Sequence, residues 1–216
     1  MDTKFTISEV FKTSWQFTKS QIWVLAGLLI GFTILSFILS LFGTPAEGST
    51  VGTLIVSFIS LIFSSLFTLG YYKNIFQTLD GEEPQFSAYG QESRKVFTYF
   101  FANIIYVCIS TIGLILFVIP GIYLALRLQF YTQFIVEENA GIIESLQKSW
   151  ELTRGHTLPL FLFLLTVIGI TVIGCVFLFI GIFIAIPLTY MMQCNIFRKL
   201  NTFPNNIFQE ENLVTE

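Results

Sequence analysis

The sequence predicts an all-α, polytopic integral membrane protein. Six transmembrane helices form three hairpins, and a short amphipathic cytoplasmic helix precedes each hairpin. Three observations predict this fold. Of 216 residues, 54% are hydrophobic and only 12% charged, against about 25% charged in a soluble domain. The charges sit in a few short stretches between long apolar runs. The lysines and arginines fall almost wholly on one side of those runs.

The elements follow in chain order. Ile7, Val10, Phe11 and Ser14 recur at helical spacing and form the stripe of a first short helix. Ile22 to Phe42 is 21 residues without a charge, above the roughly 18 that mark a membrane span. It also exceeds the apolar region of about 7–15 residues in a signal peptide, so it reads as a retained helix. Within it, Gly27 and Gly31 make a GxxxG stretch expected to allow close helix packing, most simply inside the chain. Val51 to Tyr72 is the second span, ended by Lys73. Residues 84–95, PQFSAYGQESRK, are the second short helix.

Two runs of 41 residues follow. Val96 to Val136 has Arg127 as its only charge, and Thr157 to Phe197 has none. At about 1.5 Å per residue each is roughly 60 Å of helix, twice the hydrocarbon thickness of about 30 Å. Each run therefore crosses twice. Pro120-Gly121 marks the first turn, since proline is tolerated in the first turn of a helix, and Ile180-Gly181 marks the second. Pro187 is expected to kink the sixth span. Between the runs, Ile142, Ile143, Leu146, Trp150 and Thr153 share one face of the third short helix. Glu144, Lys148, Glu151 and Arg154 point elsewhere, and Gly155 stops it.

Ten of the eleven basic residues lie before span one, between spans two and three, between four and five, or after six. The opposite side carries only Glu47. Positive charge stays cytoplasmic, so both termini are expected there, with the chain in the inner (plasma) membrane. The sequence also echoes itself. SWQFTK (14–19) matches SWELTR (149–154), NIFQTL (74–79) matches NIFRKL (195–200), and IPGIYLAL (119–126) resembles IGIFIAI (180–186). These define one membrane domain, 1–216, of three units (about 1–80, 81–138 and 139–200) with a cytoplasmic tail, 201–216.

Several chemistries have no footing. A net charge of −3 argues against nucleic acid as a partner. All three cysteines lie in apolar runs, where they act as small hydrophobes. His156 is the only histidine, which leaves no histidine-based metal site. Phosphate loops and nucleophile–base pairs are also lacking. No metal, cofactor or catalytic residue is expected, and the chain reads as a non-enzyme. Its expected partners are membrane lipids, with a second copy or another membrane protein as the protein alternative.

Arg127 is the candidate functional residue, because a charge inside a span costs about 2.5–3.5 kcal/mol on insertion scales. On one continuous helix Tyr123, Arg127, Tyr131 and Phe134 share a face. The candidate ligand-binding set is Arg127, Tyr123, Tyr131, Gln133 and Gln193. No span holds a carboxylate to pair with Arg127. Two readings stay open: an arginine bonded to carbonyls that locks the bundle, or one that meets an anionic lipid headgroup or substrate. Trp15, Trp150, Glu144, Ser149 and Arg154 are the candidate residues of the interface helices. They serve either packing against the bundle or contact with the membrane surface. The pairs Glu82-Glu83, Glu137-Glu138 and Glu210-Glu211 read as solvated caps.

Residues 120–156, PGIYLALRLQFYTQFIVEENAGIIESLQKSWELTRGH, carry a recognisable pattern. It comprises Pro120, Gly121, Arg127, Glu137-Glu138, Glu144, Leu146, Ser149, Thr153, Arg154 and Gly155. This pattern resembles the membrane domain associated with glycerophosphoryl diester phosphodiesterases, and related small bacterial polytopic proteins of unknown function. The resemblance implies a bacterial helical membrane domain without a defined activity. No segment here is long enough for the phosphodiesterase barrel, so no catalytic residue carries over. The expected function is a non-enzymatic membrane component acting on lipid organisation or a partner protein. The alternative is a small transporter or permease subunit with an anion or lipid-headgroup site around Arg127.

Overall fold

The computed structural model describes residues 5–43, 50–176 and 181–214, with side chains described for 5–41, 51–176 and 181–202. The described residues form helices and no strand. In order these are α1 (Ile7–Ser20), α2 (Ile22–Gly43), α3 (Thr50–Leu79), α4 (Ser87–Glu92) and α5 (Val96–Leu116). After them come α6 (Val118–Leu128), α7 (Tyr131–Glu138), α8 (Ile142–Leu152), α9 (Thr157–Val176) and α10 (Ile182–Val214). A 3₁₀ turn, Ser93–Lys95, joins α4 to α5.

Four segments are long and apolar enough to cross a membrane: Ile22–Leu41, Val51–Leu79, Ser87–Leu116 and Thr157–Val176. The other two expected spans differ for physical reasons. Residues 118–138 are two helices, since the chain leaves helical geometry at Phe130 (φ −96°, ψ 6°). The longer of the two, α6, has 11 residues, roughly 16 Å of helix. α10 has 33 residues, but its first 18 already include Gln193, Asn195, Arg198 and Lys199. It stays helical through Pro187 and past the end of the apolar run at Phe197. Glu47 and Ile180 lie outside the described residues, and the Glu210-Glu211 side chains outside the described side chains.

Burial is inverted relative to a water-soluble bundle. Ile115, Val176, Leu54 and Phe97 on α5, α9 and α3 are 79%, 75%, 65% and 63% exposed. Apolar faces this extensive need a non-aqueous neighbour. The core collects instead between the second half of α3 (Leu69, Tyr71, Tyr72, Ile75, Phe76), α7 (Phe134, Ile135, Val136) and residues 188–200 of α10. Rings join these elements, with Phe197 4.9 Å from Phe134 and 5.9 Å from Phe76 between centroids.

The ionic groups gather at one end of this core. Arg198 donates to Glu137 (Nε to Oε1, 2.9 Å) and to Asp80 (Nη2 to Oδ2, 2.9 Å), tying α10 to α7 and to the end of α3. Its guanidinium also lies 5.0 Å from the Phe76 ring centroid. Lys148 pairs with Glu138 and Glu144, each at 2.9 Å, and Asn201 donates to Glu138 at 2.7 Å. Lys199 pairs with Glu9 of α1 at 2.5 Å. The Glu137-Glu138 pair is thus a junction of three helices, not a solvated cap.

Each short helix rests on helices that are not its immediate successor. α4 lies along α3, where the Tyr89 ring covers Gly70 so closely that a Cβ there would sit 2.2 Å from it. α8 packs on α5, α6 and α7, and α1 on α10. Two turns use glycine for backbone approach. Phe117 alone separates α5 from α6, and a Cβ on Gly121 would lie 2.5 Å from the Leu114 nitrogen. A Cβ on Gly181 would lie 2.6 Å from the Gly174 carbonyl oxygen. Gly27 and Gly31 have nothing within 4 Å of a built Cβ. Among the described residues the GxxxG stretch therefore packs against no helix, because α2 turns that edge outward.

Candidate functional site

The site begins with a helix that stops. α6 enters with Pro120 in its first turn and ends at Leu128. α7 restarts at Tyr131, leaving Gln129 and Phe130 as the interruption. An interruption frees backbone polar groups, and buried ones must be satisfied. Side chains from two other helices do this. Ser149 Oγ donates to the Arg127 carbonyl at 3.0 Å and accepts from the Phe130 N–H at 3.0 Å. Thr153 Oγ1 lies 3.0 Å from the same Arg127 carbonyl and shares its one hydrogen between that oxygen and the Ser149 carbonyl at 2.7 Å. From α10, Gln193 Nε2 donates to the Gln129 carbonyl at 3.3 Å, while its Oε1 accepts from Tyr72 at 2.9 Å. Ser149 and Thr153 are four residues apart on α8, hence one above the other on the face turned to the break.

The same helix covers the Arg127 side chain. Trp150, between the two hydroxyl residues, brings its ring centroid to 4.3 Å from the guanidinium carbon. Tyr123, one turn earlier on α6, lies 5.8 Å from that carbon and meets Trp150 edge to face at 6.0 Å. Arg127 is 3% exposed. Among the described residues its side chain has no carboxylate and no hydrogen-bond acceptor, and its Nε is buried without a partner. Two aromatic faces contribute roughly 0.5–2 kcal/mol each to a cation. They offer no lone pairs to the guanidinium's five N–H donors. Tyr123 and Trp150 are 41% and 38% exposed, so the cover over the cation is thin.

The rest of the expected set separates. Tyr131 is buried but turns away, donating to Asn103 at 2.8 Å and stacking with Tyr99 and Tyr106. The shared face expected for Tyr123, Arg127 and Tyr131 is corrected by the interruption, which resets the helical phase after Leu128. Gln133 is fully buried and neither side-chain polar atom has a partner. Gln193 serves the Gln129 carbonyl and Tyr72, not Arg127. Glu144 accepts from the Gly141 N–H at 3.1 Å and so caps α8. Arg154 is exposed just beyond α8. Trp15 is 40% exposed and lines a groove with Phe11 of α1 and residues of α9 and α10. The clamp role of Ser149 and Thr153, and Tyr72, Asn103 and Asp80, were not evident from spacing. The one available signal was the repeated Ser-Trp-x-x-Thr of residues 14–18 and 149–153.

Outside the apolar segments the ionic groups respond to their partners. The hydrogen bond from Arg198 holds Asp80 below the usual carboxylate range. Burial pushes Glu137 up, outweighing the opposing pull of the same arginine. Hydrogen bonds from Lys148 lower Glu144, and those to Glu144 and Glu138 raise Lys148.

A helical protein with, among the described residues, four segments of membrane-crossing length and a buried arginine without a counter-ion is the class these features define. The chain belongs to the family described as a domain of unknown function (DUF7847), whose model matches residues 92–209, more than half its length. That segment contains the whole Arg127 site. No curated protein and no solved structure matches the chain.

Proposed function

We propose that this is a non-enzymatic, multi-pass component of the bacterial inner membrane that binds anionic lipid through Arg127. One observation carries the reading: a guanidinium that is almost wholly buried and has no anion among the described residues. A buried cation without a counter-ion is costly, and a lipid phosphate supplies the missing charge. The expected six spans belong to this proposal, with the fourth crossing made by α6 and α7 together across their break and the sixth by the apolar first part of α10; the three hairpins and cytoplasmic termini belong to it as well. The concentration of ion pairs at one end of the core supports the orientation. The threefold repeat gains support from α4, α8 and α1 each lying on the preceding unit, with α1 closing onto the last.

The resemblance to the phosphodiesterase-associated membrane domain fits a lipid role. A transporter is the second reading, because interrupted helices hold substrates in several transporter folds. Here the Arg127 carbonyl, the Phe130 N–H and the Gln129 carbonyl are already occupied by side chains, which favours the binding component. The test is to purify wild type and Arg127→Gln in neutral detergent and analyse the lipid each retains. Enrichment of anionic phospholipid in wild type alone is expected, and equal profiles would refute the reading. Water-soluble thiol reagents on Tyr123→Cys and Tyr131→Cys address the transporter, which requires both to be labelled. The binding component requires Tyr131→Cys to stay protected.

A further inference from the structure

We infer that the groove between α6 and α9 is an acyl-chain slot. With Arg127 it takes one phospholipid that carries a net negative charge and no ammonium group. This rests on the headgroup reading of Arg127 and extends it to the rest of the ligand. The groove encloses about 460 Å³. Ile119, Ile122, Tyr123 and Leu126 line it from α6, with Leu158 and Phe161 from α9. Tyr123 belongs to both halves: it lines the groove, and its ring lies 5.8 Å from the Arg127 guanidinium carbon. Leu126, the residue before Arg127, lines the groove as well. An apolar slot therefore lies behind Tyr123 from a cation that lacks an anion, and a phospholipid joins those two chemistries in one molecule. Rotation of the part-exposed Tyr123 opens the way from slot to guanidinium. The Trp150 and Tyr123 rings already face Arg127. A choline or ethanolamine ammonium would meet the guanidinium's repulsion there, and this selects headgroups without an amine.

The molecule contains its own contrast. A larger groove of about 690 Å³ runs between α1, α9 and α10, with Trp15 in its wall; neither groove has a basic residue in its lining, but the α6–α9 groove shares Tyr123 with the surroundings of Arg127. When Gly121 is matched to Gly181, as the IPGIYLAL and IGIFIAI echo requires, the position of Arg127 is taken by Pro187. Trp15 stands where Trp150 does, but the cation is gone. Charge selection is therefore confined to the α6–α9 slot.

The experiment uses the full chain in neutral detergent with Trp15→Phe and Trp23→Phe, which leaves Trp150 as the only tryptophan. Phosphatidylglycerol and phosphatidylcholine, both brominated on the acyl chains, are titrated as contact quenchers. Inorganic phosphate is added as a headgroup-only competitor, and melting curves check that each variant is folded. Phosphatidylglycerol should quench Trp150 at about tenfold lower concentration than phosphatidylcholine, equivalent to about 1.4 kcal/mol. Arg127→Gln should abolish that preference and Arg127→Lys should keep part of it. Ile122→Phe, which narrows the slot, should weaken quenching by both lipids. Equal quenching by the two lipids in the otherwise wild-type chain overturns the slot and the headgroup reading together. Quenching that loses its lipid preference in Arg127→Gln but keeps its full strength in Ile122→Phe, and is competed away by phosphate, overturns the slot alone. Should Arg127→Gln fail to fold, Arg127→Lys and Ile122→Phe decide the matter.

Discussion

Replacing Ser149 by alanine removes a hydroxyl that both donates and accepts. The Phe130 N–H loses its acceptor, and Phe130 is fully buried. It cannot fall back on the Leu126 carbonyl without competition, because that oxygen accepts from Gln129 Nε2 at 3.1 Å. The Arg127 carbonyl loses the Ser149 donor and keeps a share of the Thr153 hydroxyl, whose hydrogen also serves the Ser149 carbonyl at 2.7 Å. An unsatisfied buried donor costs about 1–3 kcal/mol. Hydrogen bonds in membrane proteins average about 0.6 kcal/mol with a ceiling near 1.7, since the unfolded chain also finds partners. Ser149→Ala should therefore cost about 1.5 kcal/mol, which lowers the melting temperature by about 3–6 °C for a chain of this size. Thr153→Val leaves the carbonyl one donor and should cost about 0.5–1 kcal/mol. The double variant orphans the carbonyl and should exceed the sum. Ser14→Ala is the control: Ser14 holds the same place in the repeated motif, but receives one long bond of 3.3 Å from Asn195. Thermal unfolding in detergent reads all four. A Ser149→Ala melting point equal to that of Ser14→Ala would refute the clamp.

Two further outcomes are expected. Gly121→Ala and Gly181→Ala should strongly reduce folded yield, since each new Cβ meets backbone at 2.6 Å or less, whereas Gly27→Ala and Gly31→Ala enter open space and should behave as wild type in size-exclusion chromatography. The ionic end should answer to pH in two senses. Asp80 has a lowered pKa, so its contribution is present above its ordinary 3.8 and lost as pH falls through the folded value. Glu137 has a raised pKa, so its contribution is present below 4.5 and lost as pH rises through the folded value. Near neutral pH, Asp80→Asn should cost up to about 1 kcal/mol, as exposed pairs do, and that cost should vanish in acid. Glu137→Gln should be neutral or stabilising under the same conditions. Melting curves across the acid range check both, and a Glu137→Gln loss larger than that of Asp80→Asn would contradict the assignment.

Much of the fold is legible because lipid imposes a simple rule on sequence. α2 begins at Ile22 as the first apolar run does, and α9 begins at Thr157. The turn at Pro120-Gly121 was displaced by three residues, to Phe117, since proline fits inside the first turn and the reversal precedes it. The interruption at Gln129-Phe130 left no local mark. Neither residue is a helix breaker, and the break exists because Ser149, Thr153 and Gln193 satisfy it from elsewhere in the chain. A site built on that break was correspondingly hard to draw. Arg127 and Tyr123 fall within the unbroken stretch and are neighbours as spacing requires, whereas Tyr131 lies beyond the break and faces Asn103.

The seat of α1 on α10 has a consequence for biosynthesis. Ser14 and Asn195 are 181 residues apart, and Glu9 and Lys199 are 190. At roughly 5–20 residues per second, about 10–40 s pass between the translation of α1 and that of its partner. Throughout that interval Val10, Ser14 and Thr18, all fully covered in the finished molecule, lack the cover that α10 supplies. α1 is therefore made long before its seat, and a nascent chain arrested before α10 leaves the α10-facing side of α1 open.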